Sequence, residues 1–230
     1  MNSAVDAQII EAYKAYLDRK EFACIAAKAA LAKAQISCLV ADHLACPHDD
    51  AAILTFIYEF VDRYRAAGDL YHSAAVIFKG PELPTEETFD ALLWQRLQSL
   101  SDMDARNYGY DARVAADPAS GSFSFSLKGE AFYIVGLHPG SSRLTRRFGY
   151  VTLVFNPHAQ FEQLRETSKY ENIKGAVRKR DVAYSGSVNP MLDDFGTASE
   201  VFQYSGKQYD ASWQCPLKIH HAGVEHHSAS

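Results

Sequence analysis

Residues 123–160 read FSFSLKGEAFYIVGLHPGSSRLTRRFGYVTLVFNPHAQ, and this stretch decides the fold. It contains two apolar runs, Ala131–Leu137 and Tyr150–Phe155, which have the length and composition of β-strands. Each run is followed by a histidine, His138 after the first run and His158 after the second. The stretch therefore predicts two strands that each deliver an imidazole just past their end.

The residues beside the two histidines restrict their backbones. His138 precedes Pro139, which pushes its backbone to an extended conformation. Asn156 and Pro157 are typical of a helix start, so we expect His158 in the first helical turn, where the dipole favours a neutral ring. Either imidazole could bind a metal, act as a base or have a purely structural role.

A cationic turn lies between the two predicted strands. Ser142 and Arg143 follow Gly140-Ser141, and Arg146 and Arg147 come shortly after. Backbone donors and guanidinium groups of this kind can clamp a carboxylate or phosphate, although an isolated arginine cluster is more often solvated. The spacing matches neither a P-loop nor a dinucleotide motif, and haem propionates would fit equally well. Two imidazoles beside this turn suggest an anionic, iron-bearing ligand.

The rest of the chain mixes helical and strand patterns. Helices are predicted at residues 4–17, 22–34, 51–67, 85–100, 156–167 and 170–183, and further strands at 36–41 and 73–78. No linker or internal repeat divides the chain, so the sequence predicts an α+β fold. We expect a single domain over residues 1–218, with a mixed or antiparallel sheet flanked by helices. Residues 219–230, which include His220 and His221, are predicted to form a disordered tail.

Composition narrows the class of partner. The 230 residues are 47 % hydrophobic and 22 % charged, as in an ordinary globular domain, and their net charge is −5. This charge favours a small-molecule substrate over nucleic acid or an anionic membrane. The N-terminus lacks the apolar core of a secretory signal, and no apolar run approaches the ~18 residues of a membrane span. A cytoplasmic location with reduced cysteines is the resulting expectation.

Common catalytic motifs are missing from the sequence. It contains no Gly-x-Ser-x-Gly elbow, no His-Glu-x-x-His pair and no Cys-x-x-Cys-His, which argues against common hydrolases, zincins and covalent c-type haem. Cys46 and His48 suit a turn before a helix better than a metal site. Cys24 opens a helix whose N-terminus could stabilise a thiolate, although a small buried hydrophobe is the ordinary role of a free cysteine.

Several segments carry a resemblance to a known family. In chain order they include Phe22–Lys28, Phe123–Ser126, Ala131–Pro139, Ser142-Arg143, Arg146–Phe148, Phe155–Glu162, Asn189–Leu192, Gln203–Gly206 and Trp213–Pro216. Together they resemble the YqcI/YcgG family, whose members include haem-dependent N-hydroxylases of guanidino compounds. The resemblance implies a non-covalent b-type haem and hydroxylation of a guanidino or amino nitrogen in a small amino-acid-like substrate.

The same resemblance implies partners and roles for individual residues. Dioxygen or peroxide would be the oxidant, and the dioxygen reaction would need an external electron donor. The resemblance is also compatible with a homodimer. The expected catalytic residues and iron ligands are His138 and His158, with His138 as the first choice for the proximal ligand. The expected propionate contacts are Ser142, Arg143, Arg146 and Arg147, and the expected substrate contacts are Glu162, Asn189 and Glu200. Cys24 and Cys215 are alternative thiolate ligands.

Two other functions stay open at this point. One is a haem-binding or sensor protein without turnover. The other is a non-haem enzyme that binds an anionic small molecule at the arginine turn. Haem content and turnover of arginine-like compounds separate these from the N-hydroxylase.

Overall fold

The computed structural model describes residues 3–22, 24–165, 175, 198–210 and 212–222. The helices are α1 (Ala4–Asp18), α2 (Ile25–Ala32), α3 (Asp50–Ala67), α4 (Glu86–Asp104), α5 (His158–Arg165) and α6 (Val201–Tyr204). The strands are β1 (Ile36–His43), β2 (Ser73–Gly80), β3 (Phe125–Leu127), β4 (Glu130–Leu137) and β5 (Val151–Pro157). Apart from residue 175, the segment predicted as a basic helix lies outside the described residues, and so does Asn189.

The five strands form one mixed sheet in the order β1-β2-β5-β4-β3. β1 and β2 are parallel and are joined through α3, whereas β5 pairs antiparallel with both β2 and β4. β3 continues the antiparallel part as a short hairpin with β4. The predicted single α+β domain with a mixed sheet is therefore confirmed.

Helices cover the two faces of this sheet. Side chains alternate between faces along each strand, so Val76 and Phe78 lie on one face while Ala75 and Ile77 lie on the other. The first face packs against α3 and α4 in the larger core, and the second packs against α1 in a smaller one. Burial of both strand faces explains why the strands read as continuous apolar runs.

Short polar signals set several element ends. Ser3 and Asp6 form a reciprocal capping box at the start of α1. The Thr85 hydroxyl accepts a hydrogen bond from the Thr88 amide at the start of α4. Gly68 ends α3 in the left-handed conformation, with φ of 64°. The helix predicted to have Pro157 as its first residue begins one residue later, at His158, because β5 continues through Pro157, which pairs with Phe132. His158 therefore lies in the first helical turn, as predicted.

The C-terminal segment packs against the domain. Ile219 and His221 are buried, and the His221 Nε2 atom lies 2.9 Å from Asp104 Oδ2 at the end of α4. His220 Nδ1 lies 2.8 Å from Asp102 Oδ1 on the same helix. The predicted disordered tail is therefore wrong for residues 219–222, because imidazole–carboxylate contacts and an apolar anchor tie them to α4. Residues 223–230 lie outside the described ranges.

Within the described ranges, every helix is too short or too polar to cross a membrane.

Candidate functional site

The two predicted iron ligands lie at opposite ends of the sheet. In the antiparallel ladder between β4 and β5, Leu137 pairs with Thr152 at one end and Phe132 pairs with Pro157 at the other. His138 follows Leu137 and His158 follows Pro157, so about seven residues of strand, roughly 23 Å, separate them. The prediction that both imidazoles line one pocket is wrong, because antiparallel pairing sends the ends of the two strands in opposite directions.

His138 is enclosed in the protein core. Its side chain is 0 % exposed and stacks on the Phe89 ring, with the ring centroids 4.3 Å apart. Its two ring nitrogens have no hydrogen-bond partner among the described residues. Its burial and its stacking on Phe89 are those of a packed core residue. The assignment of His138 as the proximal ligand stays a prediction.

His138 should make the free energy of unfolding depend on pH. Burial lowers its pKa from 6.5 to about 4, with Glu86 opposing the shift and Arg146 and Arg147 adding to it. Between these values the unfolded chain binds a proton that the folded chain does not. The contribution of His138 to stability is therefore complete above pH 6.5 and is lost as the pH falls towards 4. We expect a loss of about 3 kcal/mol in the free energy of unfolding from this residue.

Urea unfolding at a series of pH values measures this effect. The variant His138→Leu should remove that part of the pH dependence, because leucine has a similar volume and does not titrate. The matched control is His48→Gln, since the His48 side chain is 86 % exposed, and this variant should keep the wild-type profile. Equal pH profiles for wild type and His138→Leu would contradict the assignment.

The arginine turn is held mainly by backbone carbonyl groups. The buried Arg146 donates from Nη1 to the Tyr204 carbonyl at 2.9 Å, and the exposed Arg147 donates from Nε and Nη2 to the Ser141 carbonyl. The Ser142 amide and hydroxyl both bond to Glu86 Oε1. Arg143 is half-buried and precedes the short 3-10 turn. Among the described residues, these contacts attach Arg146 and Arg147 to the main chain, and the propionate contacts predicted at this turn stay a prediction.

A polar cluster lies at the other end of β4. Glu200 is buried, and its Oε1 atom accepts hydrogen bonds from the Ser124 hydroxyl at 2.8 Å and from the Tyr204 hydroxyl. Its Oε2 atom lies 3.9 Å from His158 Nδ1, and His158 Nε2 lies 3.3 Å from Glu162 Oε1. Three predicted site residues, His158, Glu162 and Glu200, are thus brought together. We call them the Glu200 cluster.

Tyr133 on β4 connects this cluster to the arginine turn. Its hydroxyl donates to Gln203 Oε1, and its ring packs edge-on against Tyr204. Burial raises the pKa of Tyr133, the positive charge and hydrogen bond of Arg146 oppose that shift, and the Glu200 carboxylate adds to it. Tyr133 is half-buried although β4 is an inner strand of the sheet. Arg146 and the Glu200 cluster therefore meet beside a tyrosine that solvent reaches.

The two cysteines considered as thiolate ligands both favour the neutral thiol. Burial raises the pKa of Cys24, although its Sγ atom accepts a hydrogen bond from the Ala27 amide at the start of α2. Burial also raises the pKa of Cys215 to about 12. A thiolate at either position needs a bound metal to offset its desolvation.

No group of three or more histidine, cysteine or acidic side chains with metal-site geometry occurs among the residues that the structure describes. Cys46 and His48 flank the 3-10 turn before α3, as the sequence predicts. A transition-metal centre built from protein ligands alone is therefore not supported in this part of the chain. A cofactor that brings its own ligands needs only one axial donor from the protein.

The fold and the Glu200 cluster define a single-domain α+β protein with buried titratable side chains at one end of its sheet. The chain belongs to the YqcI/YcgG family, whose model matches residues 13–218. It is 32 % identical over 146 residues to "Uncharacterized protein YqcI" of Bacillus subtilis (strain 168), which covers 60 % of this chain. The match covers 56 % of that relative, a little over half of its length. No solved structure matches the chain.

Sequence reasoning missed Ser124, Tyr133, Gln203 and Tyr204 as members of the site. Ser124 directly precedes β3 and Tyr133 lies in β4, and the apolar residues around each dominate the pattern and hide a single polar side chain. Gln203 and Tyr204 belong to a segment that reads as a turn-rich loop but contains α6. A usable signal is the i, i+4 spacing of Glu200 and Tyr204, which places a carboxylate and a phenol on one helical face.

Proposed function

We propose that this protein is a haem-dependent N-hydroxylase that acts on a guanidino or amino nitrogen of a small amino-acid-like substrate. With peroxide, one oxygen atom enters the N–H bond to give N–OH and the other leaves as water. With dioxygen, two electrons and two protons from an external donor convert the second oxygen atom to water. Haem, when bound, supplies the activated oxygen, and the protein supplies binding, orientation and electrostatics.

The observation that carries this proposal is the Glu200 cluster. It places the imidazole of His158 between two carboxylates, with buried Glu200 on the Nδ1 side and Glu162 on the Nε2 side. The Ser124 and Tyr204 hydroxyls hold one oxygen of Glu200, and its Oε2 atom faces His158. Glu200 would therefore lie behind the ring of a metal-bound His158, where a carboxylate orients the imidazole and does not contact the substrate.

The donor chemistry of the same cluster fits haem. His158 has a carboxylate on either side, and such partners typically orient a metal-binding imidazole and raise its basicity. Glu162 is half exposed and can swing away from Nε2, whereas buried Glu200 keeps the ring in place. His158 would hold the haem iron, and Arg146, beside Tyr133, would contact a propionate. His138 has no part in this arrangement.

The variant Glu200→Gln should lower haem affinity roughly 10- to 100-fold, because the carboxylate that faces Nδ1 orients the imidazole and raises its basicity. Glutamine keeps the shape and an acceptor for the two hydroxyls but loses the negative charge. The matched control is Glu162→Gln at a half-exposed position, where the loss of haem affinity should be smaller. Unchanged haem affinity in Glu200→Gln, measured by haem titration of the apoprotein, would remove Glu200 from the haem site.

Turnover by haem-loaded protein tests the proposed function. Protein expressed with a haem precursor is incubated with L-arginine and hydrogen peroxide, or with dioxygen and a reductant system, and the products are separated by mass. The expected product is the substrate plus one oxygen atom on a guanidino nitrogen. Haem-loaded protein that converts no guanidino or amino compound would instead be a carrier or sensor. Colourless protein from the same expression would contradict the proposal and favour a non-haem enzyme.

A further inference from the structure

A second polar cleft borders the face of α5 next to the one that carries His158 and Glu162. Its volume is about 340 Å³, and its walls include Arg65, Asp69, Arg113 and Glu130, with Gly68 and Gly129 at its edge. Two residues of α5, Ala159 and Gln163, also line it, whereas His158 and Glu162 of the same helix contact the Glu200 cluster. The cleft is therefore a separate site and does not depend on the proposed function.

Buried carboxylates hold the two guanidinium groups of this cleft in fixed positions. Glu130 is 3 % exposed and accepts hydrogen bonds from Arg65 Nε at 3.1 Å and from Arg113 Nη2 at 2.8 Å. Asp111, also buried, binds Arg113 through both of its oxygens. Burial alone would raise the pKa of Asp111, but the hydrogen bonds and charge of Arg113 hold it below its usual value. Both arginines are thus preorganised before any ligand arrives.

Each guanidinium keeps unused donors. Arg65 bonds through Nε to Glu130 and through Nη2 to the Lys128 and Gly129 carbonyls. Arg113 bonds through Nε and Nη2 to Asp111 and Glu130. Neither Nη1 group has a hydrogen-bond acceptor within the described ranges, and the two side chains are 45 % and 55 % exposed. Two fixed, solvent-reachable NH₂ groups are suited to the two oxygens of a carboxylate.

The charge balance of the cleft selects the class of ligand. Two arginines face three carboxylates, those of Asp69, Asp111 and Glu130, so a simple anion meets a net negative charge. A simple cation would leave both Nη1 groups without an acceptor. Asp69 is 47 % exposed and bonds to His72 and Gln35, yet each of its oxygens has a second lone pair for a ligand. A molecule with both a carboxylate and an ammonium group can bind the two Nη1 groups through the first and the Asp69 carboxylate through the second.

We propose that this cleft binds a zwitterionic α-amino acid, with its carboxylate on the Nη1 groups of Arg65 and Arg113 and its ammonium group on Asp69. The small residues Gly68 and Gly129 let the ligand backbone approach the chain closely. The remaining volume admits a side chain larger than a methyl group. The ligand is recognised by its α-carbon substituents, so glycine is the minimal probe.

Titration of the full-length protein with glycine, acetate and methylammonium, followed by calorimetry, tests this proposal. Glycine should bind about fivefold or more tightly than either half-molecule, since each exposed charge pair adds a modest amount. In Asp69→Asn, glycine binding should fall about fivefold, whereas acetate binding should strengthen because one repelling charge is gone. The control Glu59→Gln, on the exposed face of α3, should leave glycine binding unchanged.

Three results would overturn the proposal. These are no detectable binding of glycine to the wild type, acetate binding as tight as glycine binding, and glycine affinity in Asp69→Asn equal to that of the wild type. Arg65→Gln gives an independent check, because Arg113 still neutralises Glu130 in that variant, and its glycine affinity should fall about fivefold. Glycine affinity in a folded Arg65→Gln protein equal to that of the wild type would also overturn the proposal.

Discussion

Replacing His158 by alanine is expected to give a protein that folds but purifies without haem and has no hydroxylase activity. Within the Glu200 cluster the imidazole of His158 is the nitrogen ligand, because the other two members are carboxylates, and alanine offers no replacement ligand. His158 begins α5 after β5, so the change removes no helix or strand hydrogen bond. Haem content per protein, measured after extraction of the pigment, gives the result directly.

The matched control for this variant is His138→Leu. His138 is fully buried and lies at the opposite end of β4, so its loss should leave haem content and activity near the wild-type level. Equal haem loss in both variants would point to a general packing defect. Loss in His138→Leu with retention in His158→Ala would contradict the assignment of the ligand.

The second large effect, a loss of stability, is expected at a buried ion pair that belongs neither to the Glu200 cluster nor to the polar cleft. Arg96 on α4 and Asp50 at the start of α3 contact each other, and their side chains are 1 % and 3 % exposed. Arg96 also donates to the Leu44 carbonyl from Nε and Nη2, so it ties the loop after β1 to α4. Arg96→Met would leave a buried carboxylate without its counterion. We expect the free energy of unfolding to fall by about 3–5 kcal/mol.

Chemical denaturation of Arg96→Met and of Arg63→Met measures this difference. The control residue Arg63 is exposed and lies 3.8 Å from Glu59 one turn away on α3, so its loss should cost less than about 1 kcal/mol. Similar losses in the two variants would show that the Arg96–Asp50 pair adds no more than a surface pair.

The class of fold is readable from the sequence because its strongest signals are local. The apolar runs at Ala131–Leu137 and Tyr150–Phe155 become β4 and β5, and the turn residue Gly68 ends α3 where expected. The C-terminal residues 219–222 are different. Their polar composition is typical of a tail, but His221 finds Asp104 more than a hundred residues away, and only tertiary structure brings the two together.

The position of the candidate site depends on whether the strands pair parallel or antiparallel, and the apolar runs alone do not predict this. The connection from His138 to Tyr150 contains only the short 3-10 turn Leu144–Arg146 and no α-helix of the kind that usually joins parallel strands. Antiparallel pairing follows, and with it the separation of His138 from His158. By contrast, Ser124 and Glu200 are 76 residues apart in the chain, so their hydrogen bond has no local signal.

The visible absorption spectrum of the ferrous carbonyl form tests the central claim most directly. The account predicts that protein expressed with a haem precursor shows a Soret band at the position typical of imidazole-ligated haem. His138→Leu should keep this spectrum and His158→Ala should lose it. A thiolate-type shift that persists in His158→Ala and disappears in Cys24→Ala would contradict the account. The iron ligand would then be Cys24 at the start of α2 and not His158.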